Sequence, residues 1–158
     1  MKDVLVIVPC GQKKIWDRNP SSGPTAAKDA YIGPPFRINR AFAERFGEVW
    51  MILSAKYGFI EPDFTIAAPY NITFKKKRTG PITSKQLREQ VDGHNLARFT
   101  TVVGLGGKDY REAIEFAFHG TTPDLRFPFS GLPIGKSMQA TKRAIAANDP
   151  FWERKAGQ

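Results

Sequence analysis

The chain has 158 residues, 41% of them hydrophobic, which suits one globular domain with its own core and excludes a disordered polar chain. It carries 24 Lys and Arg against 15 Asp and Glu, a net charge of +9, so its surface attracts polyanions such as nucleic acid, nucleotides or acidic headgroups. One cysteine excludes an intrachain disulfide and any cysteine-based zinc site, and suits a reducing cytoplasm; the apolar run after Met1-Lys2-Asp3 fits neither a secretory signal nor a membrane span.

Val4-Leu5-Val6-Ile7-Val8 is a continuous aliphatic run, the pattern of a strand buried on both faces of a parallel sheet. Pro9 cannot continue a central ladder and Gly11 frees the backbone. The strand therefore hands Cys10, Gln12, Lys13 and Lys14 to a loop at its carboxyl end, the edge where open α/β sheets bind ligands. Residues 15–24 are rich in turn formers and read as irregular. Thr25 is placed to cap a short helix that Gly33-Pro34-Pro35 ends, with Lys28 and Tyr31 on one face. Residues 36–46 repeat apolar side chains at helical spacing, and Gly47 stops them.

A second buried strand, Val49-Trp50-Met51-Ile52-Leu53, runs into Ser54-Ala55-Lys56-Tyr57-Gly58. The helix between the two strands makes a right-handed β-α-β crossover. Residues 59–70, with Pro62 and Pro69, read as an extended loop, and Tyr70-Asn71-Ile72-Thr73-Phe74 as a short edge strand. Lys75-Lys76-Lys77-Arg78 repel one another and predict an exposed, mobile loop. Thr83 or Ser84 caps a helix to about residue 96. Thr100-Thr101-Val102-Val103 is a third strand, followed by the glycine-rich turn Gly104-Leu105-Gly106-Gly107 and a helix over 109–118. Leu125-Arg126-Phe127-Pro128-Phe129 is a fourth strand or an edge, and a last helix spans 136–147. The order predicts a single α/β domain over residues 1–158. It is a three-layer sandwich with a mainly parallel sheet of about four strands.

Several strand ends carry glycine beside polar groups, the expected outline of a pocket. Lys56 suits a phosphate, and Tyr57 offers a stacking face and a phenolic donor beside Ser54. Gly104 and Gly106 permit close approach of a phosphate or base to backbone N–H groups, although Gly104-Leu105-Gly106-Gly107-Lys108 matches neither G-x-G-x-x-G nor a Walker loop. Cys10 is open to two readings: a buried structural thiol, or a nucleophile assisted by Lys13, Lys14 or a helix start. Neither His94 nor His119 has a spacing that pairs it with Cys10. Asp29, Asp63 and Asp109 are the carboxylates nearest the edge, and Asp29 or Asp63 is the candidate acid, base or electrostatic stabiliser. Lys75, Lys76, Lys77 and Arg78 are candidate phosphate contacts. No His, Asp or Glu cluster has metal-ligand spacing, so neither a metal nor another cofactor is expected.

Four stretches carry a resemblance: Pro9-Cys10-Gly11-Gln12-Lys13-Lys14, Ala27-Lys28-Asp29-Ala30-Tyr31-Ile32-Gly33, Ile52-Leu53-Ser54-Ala55-Lys56-Tyr57-Gly58-Phe59-Ile60 and Pro69-Tyr70-Asn71. Together they resemble a family of bacterial and phage proteins known mainly as a domain of unknown function, over about the first half of the chain. The first stretch is also similar to the Pro-Cys-Ser…Lys segment of an accessory domain in archaeosine synthase, which looks like the uracil-DNA glycosylase fold. The likeness implies a uracil-DNA glycosylase-like sandwich, to which a Rossmann-like one is the alternative, and work on nucleic acid or a nucleobase. The G-Q-D-P-Y motif of uracil glycosylases is not matched, because Gly11-Gln12 continues as Lys13-Lys14. The expected function is an enzyme acting on a nucleobase or its N-glycosidic bond, in a nucleotide or in DNA. Cys10, Gly11, Lys13, Lys28, Tyr31, Ser54, Lys56, Tyr57, Gly104 and Gly106 would line its site. The alternative is a noncatalytic basic module that binds nucleic acid.

Overall fold

A computed structural model describes residues 3–152. In chain order the elements are β1 (Val4–Pro9), α1 (Ile15–Arg18), β2 (Thr25–Ala26), α2 (Ala27–Ala30), α3 (Pro34–Phe46), β3 (Val49–Ser54) and β4 (Gly58–Ile60). They continue as β5 (Thr65–Ile66), α4 (Ser84–Gly93), β6 (Thr101–Gly104), α5 (Lys108–Ala117), β7 (Asp124–Arg126) and α6 (Ile134–Ala147). Short 3-10 turns occur at Lys77–Thr79 and Leu96–Arg98.

The main sheet runs β4-β3-β1-β6-β7. β3, β1, β6 and β7 are parallel, and β4 returns antiparallel along β3. Strand side chains alternate between faces, and β1 uses both. Val4, Val6 and Val8 join one core with Phe36, Phe42 and Phe46 of α3 and Ala144 of α6. Leu5 and Ile7 join the other with Leu87 and Val91 of α4 and Ile114 and Ala117 of α5. Helices thus cover both faces, which is why β1 reads as an unbroken aliphatic run.

The sheet has five strands rather than about four. The extra strand is β4, in a stretch that reads as loop. Only Ala55, Lys56 and Tyr57 separate it from β3, and Gly58 takes φ +77°, so a tight turn folds it back. Residues 70–74 form no strand; the Thr73 N–H donates to the Thr79 hydroxyl at 3.1 Å rather than to a ladder. The basic stretch beyond them is a hydrogen-bonded turn, with the Thr79 hydroxyl donating to the carbonyls of Thr73 and Lys76. α1 falls in the stretch that reads as irregular. Its Trp16 is buried and donates from its indole to the Ser22 carbonyl. Pro34 and Pro35 open α3, since a first-turn proline gives up an N–H that has no helical partner.

The strand order sets up a crevice. From β1 the chain crosses by α3 to β3 on one side, and from β6 it crosses by α5 to β7 on the other. α3 and α5 lie on opposite faces, so the loops leaving β1 and β6 diverge. Ligands of open α/β sheets sit at such a point. On the β3 side, the insertions after β1 and β3 pair with each other. β2 and β5 form an antiparallel ladder, continued by Ala27 N–H to the Phe64 carbonyl at 2.7 Å and Lys28 N–H to the Pro62 carbonyl at 2.9 Å. Among the described residues no helix is long and apolar enough to cross a membrane.

Candidate functional site

A cavity of about 650 Å³ opens between the carboxyl ends of β1 and β6. The β1 loop supplies Pro9, Gly11, Gln12 and Lys13, and the β6 loop supplies Gly106 through Tyr110. Gly106 stands at φ +108°, and a Cβ there would lie 2.9 Å from the Pro9 ring, so only glycine lets the two loops touch. Phe74, Tyr110 and Phe129 give aromatic walls, and the Phe74 and Tyr110 rings meet edge to face at 5.6 Å.

The starts of α3, α5 and α6 all border this cavity, and none has a side-chain cap. α4, away from it, is capped by Thr83, whose hydroxyl accepts from the Gln86 N–H at 3.1 Å. At α5 the first intrahelical bond runs from Arg111 N–H to the Gly107 carbonyl, which leaves the N–H groups of the first turn without helical partners. Lys13, Lys75 and Lys108 are exposed around the lining, and Asp109 is its one carboxylate among the described residues. The result is a concave, cationic, partly aromatic site.

Joined to it through Tyr110 lies a second cluster, largely buried and closed by its own hydrogen bonds. Cys10 is buried, with its Sγ 3.5 Å from the Tyr110 hydroxyl. Tyr110 therefore belongs to both places, its ring in the cavity and its oxygen on the thiol. The Ser54 hydroxyl accepts from the Lys56 and Tyr57 N–H groups at 3.1 and 3.2 Å. With both lone pairs engaged, its proton points to the Tyr70 hydroxyl at 2.8 Å, and the Tyr70 and Tyr31 hydroxyls share a hydrogen bond at 2.6 Å. The buried Lys14 amine donates to the Gln12 carbonyl at 3.1 Å and sits 4.6 Å above the Tyr70 ring. Burial pushes that amine below the usual lysine range, against the pull of Cys10 and Asp17. Burial, and then the neighbouring Cys10, push the phenols of Tyr31, Tyr70 and Tyr110 up.

The sequence candidates fall into three groups: those in the cavity, those in the closed cluster and those in neither. Gly11, Lys13, Gly106 and Lys75 line the cavity. Cys10, Tyr31 and Ser54 belong to the closed cluster, with Tyr57 ring-to-ring on Tyr70 at 5.5 Å and the Lys56 amine above both rings. Lys28 pairs with Asp63 at 3.0 Å, and Asp29 stands 4.0 Å from Arg40; none of these lines the cavity. Gly104 is a packing position, since a Cβ would lie 2.6 Å from the Phe127 ring. Lys76, Lys77 and Arg78 are exposed outside the lining. Lys108, Tyr110, Lys14 and Tyr70 are the additions. Of these, Lys14, in Pro9-Cys10-Gly11-Gln12-Lys13-Lys14, and Tyr70, in Pro69-Tyr70-Asn71, carry a sequence signal. Gln90 of α4 had none; it holds the 55–58 turn, accepting from Phe59 N–H at 2.8 Å and donating to the Tyr57 carbonyl at 2.9 Å. Among the described residues no group of three or more His, Cys, Asp or Glu is arranged to hold a metal ion.

Residues 5–143 match the family of unknown function DUF6884, and the chain belongs to that family. It is 38% identical over 142 residues to the uncharacterized protein YfjM of Bacillus subtilis (strain 168), a match covering 89% of this chain and 94% of that protein. A similar solved structure is AF0587, a protein of unknown function, at 14% identity and a TM-score of 0.43. That match covers 99% of this chain, which spans 46% of the AF0587 chain.

Proposed function

We propose that this member of DUF6884 is a nucleotide-directed enzyme that holds a nucleotide, free or within a nucleic acid, in the β1–β6 cavity and hydrolyses its N-glycosidic bond. One observation carries the reading: three lysines and an uncapped helix start surround an aromatic-lined cavity that holds a single carboxylate. The phosphate lies against Lys13, Lys108 and the first N–H groups of α5. The base lies against Phe74, Tyr110 and Phe129. Asp109 takes the role that the sequence alone suggests for Asp29 or Asp63. It orients a water whose oxygen bonds to C1′ while the C1′–N bond breaks. The base leaves with the electron pair, and the water's proton passes to Asp109. The net charge of +9 supports an anionic ligand, and the similarity of Pro9-Cys10-Gly11 to the archaeosine synthase accessory domain supports nucleobase chemistry.

Chromatography for free base, after incubation with nucleotides and short single strands, tests this directly. Asp109→Asn is expected to bind nucleotide as before by calorimetry and to release base at least about 100-fold more slowly. Lys13→Ala with Lys108→Ala is expected to weaken binding about tenfold. A second reading, a noncatalytic nucleic-acid module, is favoured by the closed cluster, where every described buried side-chain polar atom already has a partner. Binding without base release would select it, and no binding at low salt would reject both.

A further inference from the structure

We infer that a second groove, along the outer strand β7, is a track for single-stranded nucleic acid that leads into the cavity. The inference rests on the reading of the cavity as a nucleotide site. The groove holds about 620 Å³, and three arginines line it, Arg111, Arg126 and Arg143, with no carboxylate in the lining. They come from α5, β7 and α6, so three separate elements aim cations at one concavity.

Each arginine is held differently. The Arg111 guanidinium lies 4.7 Å over the Phe127 ring, pairs through Nε with Glu115 at 3.1 Å and donates to the Ser130 hydroxyl at 2.8 Å, which presents a fixed plane. Arg126 has only the exposed Asp124 beside it, at 3.8 Å. Arg143 has no ion-pair partner among the described residues. Phe127, Phe129 and Trp152 add aromatic surface to the same lining. Edge contacts with Phe42 and Phe46, both at 6.0 Å, fix the Trp152 ring.

A single strand presents phosphates and bases together, and this groove is lined by guanidinium groups and rings together. A duplex keeps its bases stacked inward and would leave the rings uncovered. An acidic peptide would match the arginines and leave the rings without planar partners. Continuity with the cavity is explicit, because Phe129 and Leu132 line both.

The test measures fluorescence anisotropy of a labelled single strand of about ten nucleotides against salt, alongside calorimetry with a mononucleotide. Arg126→Ala with Arg143→Ala is expected to weaken strand binding at least about tenfold and to lower the salt slope by about two, with mononucleotide binding unchanged. Strand binding is also expected to quench Trp152 fluorescence, and Trp152→Phe to abolish that quench. An unchanged affinity and slope in the double variant would overturn the track. So would displacement of the strand by polyglutamate of equal length at equal concentration. Strand binding that needs the two arginines, with no mononucleotide binding by the unaltered protein, would keep the track and overturn the cavity reading alone.

Discussion

Toward β3, the end of β1 is filled; toward β6, it is open. On the filled side, the two insertions zip together through β2 and β5, and the hydroxyls of Ser54, Tyr70 and Tyr31 satisfy one another. On the open side, the loops of β1 and β6 part toward opposite faces and leave about 650 Å³ between them. Chemistry-bearing residues are denser in the filled region, with a thiol, a buried amine and two linked phenols. Strand order, rather than the richness of a loop's side chains, decides where a ligand fits. A polar cluster whose members are all partnered is a scaffold, and it sets the wall on which the neighbouring cavity stands.

The largest effect should come from breaking the filled side. Tyr31 is 2% exposed and central to it, so Tyr31→Ala is expected to cost about 3–5 kcal/mol in chemical denaturation. A cost under about 1 kcal/mol would show that the cluster is not structural.

Alkali separates the two sides next. Below about pH 10 the tyrosines are neutral both folded and unfolded, and they contribute no pH dependence. Above it the unfolded phenols ionise, while Tyr31, Tyr70 and Tyr110 stay protonated because burial raises their pKa. The unfolded state then binds fewer protons, so stability falls as pH rises, by about 1.4 kcal/mol per tyrosine per pH unit. Tyr70→Phe is expected to flatten that fall by about 1 kcal/mol in urea titrations between about pH 10 and 11. An unchanged slope would place Tyr70 in water.

Lys56 is exposed, its amine 5.0 Å from the Tyr57 ring centre and 5.5 Å from that of Tyr70. Lys56→Ala is expected to change stability by about 0.5–1 kcal/mol and to leave nucleotide affinity as it was, since Lys56 lies outside the cavity lining. Loss of nucleotide binding would merge the two sides into one site and restore the sequence-based reading of Lys56.

The central strands were legible because burial on both faces leaves an aliphatic run that nothing else explains. β4 was not, because Gly58-Phe59-Ile60 is too short to show a period and depends on Gln90, distant in the chain. The meeting of Cys10, Tyr31, Ser54 and Tyr57 was within reach of the sequence, since adjacent parallel strands end on one edge. The cavity was not. It requires β6 to pair with the free side of β1, and residues as remote as Phe129 and Leu132 to close the far wall. Lys13 and Lys14 show the limit within one dipeptide. Lys14 bridges to Tyr31 and turns inward, while its neighbour faces solvent. Only the pairing partner determines which of the two is which.

Both outer strands of the sheet are three residues long, against six in β1 and β3. Pro62 stands two positions past β4 and Pro128 two past β7, so neither edge can lengthen its ladder by a regular step. A passing copy of the chain therefore finds almost no backbone on which to add a strand. The segment most able to seed an aggregate is the aliphatic run of β1, and it is walled off by two strands on each side.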